Sequence, residues 1–175
     1  MGGVKMPNNI KYIFITGFIT MSSVTTSYAD NEPYVTARFL TAPVAQKIAA
    51  VTEATCQNKG YQVSVAVVDR YGNLLAFVRN PLSGAHTINI AQDKAYTAAT
   101  FQGATIDLSE RLDFLKGTPR LSLVGGGVPI KLAGYMYGAV GVSGAPRKKI
   151  PGDVDHDCAK AGIEAVREVI EFGND

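Results

Sequence analysis

At 175 residues the chain has room for one domain and a short leader or tail. With 46% hydrophobic residues, 18% charged residues and 18 glycines, it has the composition of a globular protein and not of a disordered, collagenous or coiled-coil one. Its formal net charge is +2, but both excess lysines, Lys5 and Lys11, lie near the amino terminus. Without them fifteen basic residues face fifteen acidic ones, which removes the electrostatic case for a nucleic-acid partner.

Residues 1–29 have the pattern of a cleavable secretory signal. The two lysines precede an apolar run, residues 12–21, and a polar stretch then ends in Ser27-Tyr28-Ala29, a small-x-small cleavage pattern. The run is half of the about 20 residues that a membrane-spanning helix needs. The expectation is an exported protein, periplasmic or secreted, with a single domain over residues 30–175 and no membrane span. Export would allow Cys56 and Cys158 to pair. Two buried free thiols fit the sequence as well, because sequence alone does not give their separation.

A first helix is expected over 42–59, with Pro43 in its first turn and Gly60 as its stop. Residues 61–69 alternate, with Tyr61, Val63, Val65 and Val67 on one side, as a strand does. Turn chemistry at 69–73 and an apolar run over 74–79 complete a hairpin. A helix over 87–101 has a stripe of small residues, Ala91, Ala95, Ala98 and Ala99, suited to close packing on a sheet or a second subunit. A shorter helix is expected to start at Asp107, with Glu110 closing a capping box. Strands are expected at 121–124, 128–132 and 135–142, separated by glycines, and a last helix over 153–172. Hairpin-linked strands predict an α+β domain with a five-stranded antiparallel sheet covered by helices.

No zinc-protease, Cys-x-x-Cys, Gly-x-Ser-x-Gly or phosphate-loop motif is present. His86, at the glycine-containing break before the Ala-rich helix, is a candidate axial ligand of haem iron or a general base. The bland alternative is a surface histidine near a helix start. His156 lies among Asp153, Asp155 and Asp157, a candidate metal site or simply an acidic first turn that suits the helix dipole. Gly125, Gly126 and Gly127 offer backbone amides to an anion, and Arg147 in the following basic loop adds charge. A tight turn beside a solvated loop explains the same residues. Arg79 and Lys94 are candidate partners for a ligand carboxylate, and Lys94 could instead meet an acid on a neighbouring subunit.

Four stretches taken together resemble the GlcG/HbpS-like family. They are residues 91–98 (AQDKAYTA), 126–130 (GGVPI), 138–144 (GAVGVSG) and 157–162 (DCAKAG). The resemblance covers roughly residues 41–172. It implies a profilin-like fold, a homo-oligomer of four to eight subunits, and a haem ligand such as some family members bind. The leading expectation is therefore an exported binding protein for haem or a related anionic small molecule. His86 would be the axial ligand, Arg79 and Lys94 the carboxylate partners, and residues 125–127 secondary anion donors. An enzyme acting on a small carboxylate or haem-like ligand, and an oligomeric accessory protein without ligand, are the alternatives.

Overall fold

The computed structural model describes residues 1–3 and 33–173, so the expected leader lies, beyond its first three residues, outside the described residues. The fold below is that of the unit that begins at Thr36. In chain order its elements are α1 (Ala42–Asn58), β1 (Ser64–Asp69), β2 (Leu74–Arg79), α2 (Thr87–Phe101), α3 (Thr105–Leu108), β3 (Gly127–Leu132), β4 (Tyr135–Ser143), α4 (Asp153–Glu164) and α5 (Arg167–Glu171). A 3₁₀ turn, Asp113–Leu115, follows α3. No helix among the described residues is long and apolar enough to cross a membrane.

The sheet is antiparallel, in the order β2-β1-β4-β3. It has four strands, not the expected five. Residues 121–124 run irregularly because their polar backbone groups are satisfied elsewhere. The Ser122 amide donates to Thr97 Oγ1, and the Val124 carbonyl accepts from Thr105 Oγ1 at 2.8 Å. A side chain from each neighbouring helix takes the place of a strand partner.

Both faces of the sheet are covered. Val63, Val65, Val67, Val140 and Val142 pack with α1 and α4, while Ala66, Val68 and Ala139 pack against the alanines of α2. This explains why every residue of β1 is buried although its sequence alternates. The small stripe lets α2 sit very close: a Cβ placed on Gly141 would stand 2.0 Å from the Ala91 carbonyl oxygen.

The short helix also differs from expectation. It starts after Ala104, which makes no side-chain cap, and ends at Leu108 before Glu110 can close a box on Asp107. The last helix is broken as well. Val166 leaves helical geometry at φ −118° and ψ 3°, with its side chain fully buried. Val169 and Phe172, which a continuous helix would place on the core stripe, are exposed.

Cys56 and Cys158 form a disulfide, with Cα atoms 5.6 Å apart, that joins α1 to α4. One turn after Cys158 on α4 and one turn before Cys56 on α1, Gly162 meets Thr52 so closely that a Cβ on the glycine would fall 1.8 Å from Thr52 Oγ1.

Candidate functional site

Three cavity residues come from one face of α2 and its N-cap. His86, Ile90 and Lys94 are four residues apart, hence one above another along α2. They line a cavity of about 480 Å³ whose far wall is the end of β4, the loop over 143–152 and the first turn of α4. This volume lies in the range of about 300–1,000 Å³ typical of small-molecule sites.

The start of α2 is held rigidly. Thr87 Oγ1 lies 2.8 Å from Ser64 Oγ on β1 and 2.7 Å from Ser83 Oγ, both buried contacts, and donates to the Gly84 carbonyl at 2.6 Å. The neighbouring His86 is exposed at the cavity mouth. Its ring lies on Gly84, where an added Cβ would stand 2.6 Å from His86 Cε1. A larger residue at 84 would push the imidazole away.

Lys94 is at the cavity floor and only 2% exposed. Its Nζ donates to Asp155 Oδ2 at 2.8 Å and to the Val142 carbonyl at 2.9 Å. An ammonium has three donors, so these bonds leave one N–H. Asp155 Oδ1 accepts from the Ala145 amide at 3.0 Å. Burial pushes the Asp155 carboxyl pKa up, against the pull of Lys94 and the Ala145 N–H toward the ionised form. Gly126 adopts φ +119° here, and a Cβ on it would approach Lys94 Nζ to 2.9 Å. Lys94 therefore has its acid within the same chain.

The cavity loop is shaped by the neighbouring acid. Asp153 accepts from the amides of Lys148 at 3.0 Å and Lys149 at 2.6 Å. These bonds hold its carboxyl pKa down, at about 2. Arg147 sits in the loop so fixed, exposed and at the cavity wall. The acidic first turn of α4 thus does more than suit a dipole: Asp153 clamps the loop and Asp155 joins α4 to α2.

The other expected residues lie elsewhere. The Arg79 guanidinium donates to the carbonyls of Ser83 and Pro81, bracing the 80–84 turn, and does not line the cavity. Of the glycine run, the Gly125 amide donates to Pro151 O at 3.2 Å and the Gly127 amide to Thr105 Oγ1 at 2.9 Å. Those two donors are engaged within the fold and are not offered to an anion. His156 is half-buried, its Nδ1 has no hydrogen-bond partner among the described residues, and burial lowers its pKa, with Lys160 adding to that shift. Among the described residues no three His, Cys, Asp or Glu side chains gather as a metal site. Ile90 was not read from the sequence as a site residue, and Asp155 was read only as part of the acidic metal-site candidate around His156, not as the partner of Lys94. The spacing of 86, 90 and 94 was the available signal for Ile90.

A second cavity, of about 620 Å³, adjoins the first. It lies between α3 and residues 123–125 and 150–151, and Val124 and Pro151 line both cavities.

Comparison with known proteins agrees with this architecture. Residues 40–164 match the family described as "Haem degrading protein HbpS-like". Protein GlcG of Escherichia coli K12 is 36% identical over 109 residues, 59% of this chain and 81% of GlcG. The crystal structure of a double mutant of Streptomyces reticuli HbpS superposes with a TM-score of 0.70 at 33% identity, covering 79% of this chain and 94% of that one. PduOC, crystallised as a heme complex, shares the fold with a TM-score of 0.64 at 24% identity, over 73% of this chain and 95% of its own. Matched over most of its length in sequence and in fold, the chain belongs to the HbpS-like family.

Proposed function

We propose that this is an exported binding protein for haem or a closely related anionic ligand, held in the cavity between α2 and the 143–152 loop. One observation carries the reading: His86, Lys94 and Arg147 converge on a single cavity of about 480 Å³. The donor set suits the ligand. An exposed imidazole at the mouth is a haem-iron ligand of the usual kind, and a guanidinium and an ammonium N–H are partners for carboxylates. Haem binding is further supported by the family's description and by the heme complex of the related fold of PduOC.

Export is supported by the leader pattern of residues 1–29 and by the Cys56–Cys158 bond, which persists in an oxidising compartment. Assembly into a homo-oligomer of four to eight copies is part of the same proposal, and light scattering on the purified protein measures it.

The test is a haemin titration followed by absorbance, with His86→Ala in parallel. A saturable Soret shift that the variant loses is the expected result. A shift that survives moves the iron ligand to another residue, and no shift in the wild-type protein overturns the reading.

A further inference from the structure

We propose that the larger cavity is the centre of a two-fold contact with a second copy of this chain, in which the acidic bank beside α3 of one copy meets the basic 147–149 loop of the other. The inference deepens the homo-oligomer proposed above and rests on that part of the reading alone.

The hollow of about 620 Å³ has an apolar middle open to solvent. Val124, 44% exposed, and Ile150, 50% exposed, both line it. On one bank stand Asp107 and Glu110, with Arg111 offsetting one of them. On the other side Arg147, Lys148 and Lys149 directly precede Ile150, and all of these charged residues are exposed. Among the described residues, Asp107, Glu110, Arg147 and Lys149 form no ion pair within the chain. Lys148 is turned aside, its Nζ 5.9 Å from the centre of the Tyr61 ring. Asp153, which follows the loop, has its oxygens taken by the amides of residues 148–150. The fold fixes both banks from behind. The Val124 carbonyl accepts from Thr105, at the start of α3, and the Gly125 amide donates to the Pro151 carbonyl, beyond the basic loop.

A surface with opposite charges on either side of an apolar middle is complementary to itself. A two-fold axis through the middle sets each bank against the opposite bank of the second copy and lays the two Val124–Ile150 patches together. The contact then has an apolar core and a charged rim, the usual anatomy of a stable interface. A copy turned the other way would set like charges together, which is repulsive. The occupant is a second copy because one molecule supplies both signs of charge, and symmetry makes their spacing match. The partner would also stand beside the ligand cavity, since Val124 and Pro151 line both hollows.

Sedimentation velocity decides this, on the wild-type protein, on Glu110→Lys and Lys149→Glu separately, and on an equimolar mixture of the two variants. Neither residue lines the ligand cavity. In either variant alone, like charges face one another across the axis, and the assembly should have about half the wild-type mass or less. The mixture should recover the wild-type mass, because lysine and glutamate then face one another at both contacts. Variants that keep the wild-type mass overturn the surface and leave the oligomer standing. Small assemblies that mixing does not restore also overturn it, since a variant damaged in its own fold behaves in this way. A wild-type protein that sediments as a monomer overturns both the surface and the oligomer, while the haemin titration still decides the ligand separately.

Discussion

Lys94 Nζ and Asp155 Oδ2 lie 2.8 Å apart, each side chain almost fully buried, and they join two helices that lie on opposite faces of the sheet. Removing one partner strands the other charge. Lys94→Met is expected to lower stability by about 3–5 kcal/mol, and Lys94→Met with Asp155→Leu by considerably less. Denaturant titration of the two single variants and the double variant measures the coupling. In Lys94→Met the Asp155 carboxyl rises further above its unfolded value of about 3.9, so the folded state binds the proton more tightly. Stability of that variant should therefore fall as pH increases above this value.

Asp153 gives the opposite acid response. Its folded pKa of about 2, set by the Lys148 and Lys149 amides, is below the unfolded value. Its contribution is present above the unfolded value of about 3.9 and is lost as pH falls toward the folded one. Asp153→Asn should flatten this acid limb in urea titrations at successive pH values. It should also weaken anion binding at Arg147, because the loop loses its clamp.

His156 adds a second acid response. Burial lowers its pKa, assisted by Lys160 and opposed by Asp157 and Asp107. The unfolded chain takes up the proton first, so stability should decline as pH drops below about 6.5. His156→Phe should remove that decline, while the wild-type protein and an Asp153→Asn variant should both retain it.

Much of this was legible in the sequence, and what was missed has definite causes. Helix α2 and strand β2 have the expected bounds because their patterns are local: Ala91, Ala95, Ala98 and Ala99 mark one face, and a turn precedes Leu74. Residues 121–124 resemble a strand because an apolar run beside glycines has no local signature that separates it from a strand. Thr97 and Thr105, distant in sequence, take the Ser122 amide and the Val124 carbonyl. The cavity floor was hidden for the same reason. Lys94 was a candidate, but its partner is 61 residues away on the other layer. The disulfide was left open because the 5.6 Å that allows it is a tertiary distance.

The disulfide closes over a separation of 102 residues. Replacing Cys56 and Cys158 with alanine should cost about 3–5 kcal/mol, read as a lower denaturation midpoint. Both cysteines are fully buried, so a reductant should change the wild-type protein only where denaturant also opens it.

The contact of α1 with α4 allows no added volume. Gly162→Ala would set a methyl against Thr52 Oγ1 and should destabilise by about 1–3 kcal/mol or more. Combining it with Thr52→Ala should recover part of the loss in the same denaturation assay, since the hydroxyl is the nearest obstacle.

The close seating of α2 bears on how the site can diversify. With Gly141 under Ala91 and Gly127 under Lys94, the helix backbone rests almost directly on the sheet, and nearly any enlargement along that contact would lift it. Selection can therefore alter ligand preference readily from one side only. A change in the length or charge of the 143–152 loop leaves that contact untouched, whereas a larger residue at Gly141 or Gly127 would displace the helical wall that bears Lys94.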